Sequence, residues 1–131
     1  MAIVKDRKLN PPVQTPETTH YWNAAREGKL LMRHCRSCDK PHFYPRTLCP
    51  FCLGATDWRE ASGQGEIYSY SVMRHTDEPY VIAYVKLAEG PTMMTNIVDC
   101  DTDKLAIGQK VRLVYKPTTD DAPPLPMFTP A

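Results

Sequence analysis

Cys35-Arg36-Ser37-Cys38 and, ten residues further on, Cys49-Pro50-Phe51-Cys52 decide how this chain is to be read. A Cys-x-x-Cys turn lets two thiolates converge on one ion, and two such turns complete a tetrahedral shell that leaves no position for water. Four soft thiolates favour one zinc ion, with a rubredoxin-type iron centre as the lesser alternative. A closed shell is structural, and metal binding then supplies the folding free energy of a segment of about twenty residues that cannot bury a core of its own. His34 and His42 lie near the pairs, but with four thiolates available they read as solvated or supporting side chains. The fifth cysteine, Cys100, makes the count odd, which suits a metal site in a reducing compartment better than a disulfide framework. It stands between Asp99 and Asp101, carboxylates that raise a thiol pKa, so it is not proposed as a nucleophile.

Toward the N-terminus, Leu30-Leu31-Met32 reads as a short strand entering the first knuckle. Before it, Thr15 offers an N-cap, Pro16 suits a first helical position and Gly28 supplies a stop, framing a helix of about three turns. Tyr21, Trp22 and Ala25 share one face of that helix. The segment through Gln14, with Pro11-Pro12, reads as an extended arm.

Toward the C-terminus, Pro41 to Pro45 forms a long turn between the knuckles, and after Trp58 the texture becomes that of an all-β domain. The segments 65–72, 80–87, 92–98 and 111–115 alternate or are rich in β-branched and aromatic residues. Four or five such strands with Gly, Pro and Asp punctuation predict a small barrel, with one helical turn over 103–108 closed by Gly108. The tail from Asp121 carries Pro123, Pro124, Pro126 and Pro130, which predicts an extended segment lying on a surface and not a central strand. The expected division is arm and helix 1–29, zinc ribbon 30–60, barrel 61–120 and a proline-rich tail 121–131 that packs on the barrel or on a partner.

The chain of 131 residues has 42% hydrophobic and 24% charged residues, fitting a folded domain of ordinary size. It has no apolar run near the roughly 18 residues a membrane helix needs and no secretory signal pattern, which predicts a cytoplasmic protein with no membrane partner. The net charge of +1 divides into +4 over residues 1–60 and −3 over residues 61–131. A barrel half that is net acidic lacks the electrostatic groove that nucleic acid demands, although Tyr68, Tyr70, Tyr80 and Tyr84 on strands could stack bases. The sequence has no Gly-rich phosphate loop, no Gly-x-Ser-x-Gly elbow and no His-Glu-x-x-His motif. Its one mixed acid–base cluster, Arg74-His75-Thr76-Asp77-Glu78, reads as a solvated turn between strands, so no catalytic residue is assigned.

Tyr21-Trp22, Arg26-Glu27-Gly28-Lys29-Leu30, the two knuckles with Phe43-Tyr44-Pro45-Arg46 between them, residues 63–70, Gly108, Val111 and the closing Leu125-Pro126-Met127-Phe128 stand together in this order. In this the chain resembles the proteins that join a rubredoxin-like zinc ribbon to an OB-fold, long grouped as a domain of unknown function, over about residues 17–131. The resemblance implies a mainly β protein: an N-terminal helix, a zinc ribbon and a C-terminal five-stranded OB-fold barrel.

The resemblance also implies an auxiliary subunit of a thiolase-type enzyme that helps bind acyl-CoA while the partner carries the catalytic residues. Thiolytic (retro-Claisen) cleavage is the expected reaction, with retro-aldol cleavage or biosynthetic acyl transfer as alternatives. A two-plus-two heterotetramer is the expected assembly, and a single-stranded nucleic-acid-binding module the rival reading. Arg33, Arg36, Lys40 and Arg46 crowd into the ribbon, where they could meet the phosphates of CoA. Trp22, Leu125, Met127 and Phe128 are the apolar residues expected to face the partner.

Overall fold

A computed structural model of the chain describes residues 7–119 and 121–131. Helix α1 spans Thr19–Arg26, shorter than the spacing predicts. Residues 16–18 form a turn in front of it, with the Thr18 amide donating to the Thr15 carbonyl at 2.9 Å and the Thr19 hydroxyl to the same oxygen at 2.8 Å. Thr15 therefore anchors the turn and Thr18 takes the N-cap position. The predicted stop holds. Gly28 has φ +80, its amide donates to Ala25 and that of Lys29 to Ala24, which is the Schellman arrangement.

Beyond Lys29 the chain enters the ribbon. Strands β1 (Leu31–Cys35), β2 (Pro41–His42) and β3 (Thr56–Glu60) form an antiparallel sheet in the order β2-β1-β3. Strands β4 (Gln64–Met73), β5 (Tyr80–Leu87), β6 (Thr92–Ile97), β7 (Lys110–Lys116) and β8 (Leu125–Pro130) follow. They close into a barrel in the order β4-β5-β6-β8-β7, so each barrel strand is paired on both sides. The predicted helical turn is a short 3-10 helix, Thr102–Lys104.

The tail corrects the sequence reading. It is the fifth barrel strand, paired antiparallel with β7 over Leu125 to Pro130, and does not lie on a surface. The parity of its prolines makes this possible. Ala131 donates to Lys110 at 3.0 Å, so the odd-numbered residues turn their backbone groups toward β7. Pro126 and Pro130 point their nitrogens the other way, toward β6, where the parallel pairing consists of Ile97 with Phe128. A missing N–H costs little on that side.

One core joins these parts. Tyr21, Trp22 and Ala25 of α1 and Leu30 to Met32 of the ribbon pack in the same buried cluster as Ile67, Val81, Val85, Val111 and Phe128 of the barrel. The Tyr115 hydroxyl donates to the Lys29 carbonyl at 2.7 Å. The arm is also tied down where it is described: Leu9 is buried, its carbonyl accepts from Thr119, and Arg7 donates to Asn96 and stacks over Tyr80.

Candidate metal centre

The ribbon brings its four predicted ligands to one point. All the ligand sulfurs of Cys35, Cys38, Cys49 and Cys52 lie within 4.8 Å of one another, with Cys35 to Cys52 at 3.5 Å and Cys38 to Cys49 at 3.6 Å. A tetrahedral ion with bonds of about 2.3 Å to sulfur requires an edge of about 3.8 Å, so the cage has the size of a zinc tetrathiolate.

The two knuckles are built alike. Cys35 N donates to Lys40 O at 3.0 Å and Cys49 N to Gly54 O at 2.9 Å, the same bond across the same number of residues. The residue after each second cysteine, Asp39 and Leu53, has a left-handed backbone, φ 61 and φ 64. Backbone amides then turn inward onto sulfur: Ser37 N and Cys38 N each lie 3.3 Å from the Cys35 sulfur and Phe51 N lies 3.4 Å from that of Cys49. Those of Cys38 and Ser37 favour the thiolate, and the Cys35 thiol is held down to about 6. Burial, together with the neighbouring Cys35 sulfur, pushes Cys38 up to about 12.

Gly54 is a residue the sequence reading passed over. A Cβ there would stand 2.9 Å from Ser37 Oγ and 3.2 Å from the Cys35 sulfur, so a side chain at this position would crowd the first knuckle against the second. Its place two residues after Cys52 was the available signal. Thr56 was also missed; its buried hydroxyl donates to Arg46 O at 3.1 Å and Thr47 O at 2.8 Å and pins the loop between the knuckles.

Neither histidine joins the cage. His34 Nε2 lies 3.1 Å from Asp39, and buried His42 Nε2 accepts from the Arg46 amide at 3.1 Å. Cys100 is buried, and burial above all raises its pKa, with Asp99 and Asp101 adding to it.

The four cations are brought onto the ribbon with partners of their own. Arg36 makes two bonds to Asp57 Oδ1, at 2.8 and 2.6 Å, and Arg46 faces Glu17 at 3.5 Å. Arg33 lies over the Trp58 ring at 4.3 Å with its Nε on Arg46 O, and Lys40 over Phe51 at 5.2 Å.

The four apolar anchors behave differently from expectation. Phe128 is fully enclosed in the barrel, and Met127 and Trp22 are buried at 3% and 6% exposure. Along β8 the adjacent Phe128 and Met127 face opposite sides of the sheet, Phe128 into the barrel and Met127 toward α1 and the ribbon, and the apolar face of α1 buries Trp22, so all three are largely covered within this chain. Trp22, Met127 and half-buried Leu125 do reach one apolar groove of about 280 Å³ between α1, the ribbon and the β6–β8 seam. Phe43, Tyr44, Ile82 and the exposed Met94 are also part of its apolar wall. Met94 carried no local signal, because the groove is made by packing distant segments.

Among the described residues, no helix is long and apolar enough to cross a membrane. The fold and the cage agree with what comparison with known proteins finds. Residues 22–59 match the family described as ChsH2, rubredoxin-like zinc ribbon domain, and residues 58–116 match ChsH2, C-terminal OB-fold domain. A DUF35 domain-containing scaffold protein of Methanothermobacter thermautotrophicus is 36% identical over 80% of this chain and 86% of its own length. A probable enoyl-CoA hydratase alpha subunit of Thermomonospora curvata is 36% identical over 97% of this chain, which spans only 42% of that longer protein. Among solved structures, the Ltp2-ChsH2(DUF35) aldolase superposes with a TM-score of 0.80 at 33% identity, covering 91% of this chain and 98% of that one. A Sulfolobus solfataricus DUF35 protein of unknown function, with a TM-score of 0.67 at 12% identity, shares the fold, covering 90% of this chain and 87% of its own. With four cysteines caged in the ribbon as a zinc site and a closed barrel behind them, the chain belongs to the ChsH2/DUF35 family of zinc-ribbon and OB-fold proteins.

Proposed function

We propose that this chain is a non-catalytic subunit of a thiolase-type complex, where it helps hold an acyl-CoA substrate while the partner cleaves or forms the carbon–carbon bond. The observation that carries the reading is the likeness of both domains to the ChsH2(DUF35) component of a solved aldolase, at a TM-score of 0.80 and 33% identity. That neighbour favours retro-aldol cleavage over the thiolysis expected from the family resemblance, with acyl transfer as the remaining alternative. The curated relatives described as scaffold proteins support an assembling role.

The physical division of labour follows from the ribbon and the groove. Lys40 and Arg33, held over aromatic rings, carry the ribbon's positive charge toward the CoA phosphates, while Arg36 and Arg46 would have to exchange Asp57 and Glu17 for them. The apolar wall at Trp22, Tyr44, Met94 and Leu125 is open at the surface and offers the partner a place to close over.

The rival nucleic-acid reading keeps exposed Tyr68 and Tyr84, but Tyr70 packs against the core, Tyr80 lies under Arg7 and the barrel half is net acidic. Gentle purification of the tagged chain from its native host at natural level tests the proposal. A thiolase-like chain in two-plus-two stoichiometry supports it; elution alone, or with nucleic acid, contradicts it.

A further inference from the structure

The four cysteines of the cage differ sharply in what solvent can reach. Cys35 and Cys49 are wholly buried and Cys38 is half-buried, while Cys52 is exposed. Cys52 also sits between Phe51 and Leu53, both exposed at 61% and 73%, so this tip of the ribbon projects from the surface. Its sulfur lies 3.5 Å from that of Cys35, whereas Cys38 faces Cys49 at 3.6 Å. An exposed cysteine whose sulfur touches that of a wholly buried one has the arrangement of an attacking and a resolving cysteine.

We infer that Cys52 is an oxidation site through which a small peroxide opens the metal cage, with Cys35 as the resolving thiolate. The Cys52 thiolate attacks hydrogen peroxide, the O–O bond breaks, and Cys52 becomes a sulfenic acid as hydroxide leaves. The Cys35 thiolate then attacks the Cys52 sulfur, the S–S bond forms, the S–O bond breaks and a second hydroxide leaves. Both hydroxides take protons from solvent to give two waters. Two cysteines lose two electrons in all and the peroxide gains them.

With two of four ligands consumed, zinc is no longer held, and the segment 35–54 loses its clamp. Cys100 takes no part, because its thiol is buried in the barrel-side core and bonds weakly to Ile97 O at 3.9 Å. The site thus gives the ribbon a reversible response to peroxide that a thiol reductant with fresh zinc undoes.

The test uses the zinc-loaded full chain and hydrogen peroxide below one equivalent. Released zinc is followed with a chromogenic chelator, and the modified cysteines are mapped by peptide mass after blocking free thiols. The expected result is one zinc released per Cys35–Cys52 disulfide, with Cys100 unmodified. Replacing the exposed thiol by an imidazole, Cys52→His, keeps a four-ligand site and is expected to slow zinc release by roughly tenfold or more. First oxidation at Cys38 or Cys100, a Cys38–Cys49 disulfide as the main product, or zinc retained after Cys52 is oxidised would each overturn the assignment. The mapping on the unmodified chain decides the matter even if the variant loses its metal.

Discussion

The hydroxyl of Tyr115 donates to the carbonyl of Lys29 at 2.7 Å, a bond from the barrel to the link between helix and ribbon, 86 residues apart in sequence. The Ala61 amide donates to the Leu30 carbonyl at 2.8 Å beside it, and Tyr115 packs against the shared core. Tyr115→Phe keeps the ring and removes the bond. The expected loss is about 1 kcal/mol, read as a lower urea midpoint at unchanged slope. A change in slope would mean that the two halves no longer unfold together.

Metal removal should act on one half first. The chain has two tryptophans, Trp22 on the helix and Trp58 on β3, both on the ribbon side of the molecule. Stripping zinc with a strong chelator is expected to shift their emission to the red as the segment 35–54 loosens. Emission that stays unchanged after complete metal loss would show that the ribbon holds without its ion.

Two glycines separate the cage from the barrel. Gly54→Ala sets a Cβ against Ser37 and the Cys35 sulfur, and Gly65→Ala sets one 2.7 Å from Val85 Cγ1 and 2.8 Å from the Lys86 carbonyl. Each should cost about 1–3 kcal/mol by overpacking. Only Gly54→Ala should weaken zinc retention in a chelator competition; equal zinc retention in both variants would refute this placement of Gly54.

His42 gives a pH dependence of known sign. Burial, more than the nearby Arg33 and Arg46, lowers its pKa below the ordinary 6.5, and its Nε2 accepts from the Arg46 amide. The unfolded chain therefore binds the proton more readily, and stability is full above pH 6.5 and falls as pH drops through the lowered value. His42→Gln, which can present an oxygen to the same amide, is expected to flatten the stability profile below the ordinary histidine value of 6.5. An unchanged profile would remove His42 as its source.

Much of this was legible in the sequence, and what was not has a physical cause. The ligand spacing, the Gly28 stop and strand Tyr80–Leu87 are local patterns, and they were read as they stand. The fifth barrel strand was hidden because proline signals count against strands wherever they fall, whereas Pro126 and Pro130 both face the sparsely bonded β6 side. Phe128 and Met127 were accordingly placed on a surface when they belong to the core. The division of the cations among Asp57, Glu17 and two aromatic rings depends on tertiary neighbours no spacing reveals.

At the groove, Met94 is 63% exposed and contributes its side chain to the apolar wall. Met94→Glu should leave the isolated chain folded and weaken its binding to the catalytic partner at least about tenfold, the effect of burying an unpaired charge. Titration by calorimetry or interferometry checks this; unaltered affinity would move the partner away from the groove.

The most direct measurement of the central claim is reconstitution with the co-purified partner. Acyl-CoA turnover and acyl-CoA affinity are compared for the chain alone, the partner alone and the two together. The account predicts no turnover by the zinc-loaded chain alone and full activity, with tighter acyl-CoA binding, for the pair. Turnover by the isolated chain, or partner activity and affinity indifferent to its presence, would contradict it.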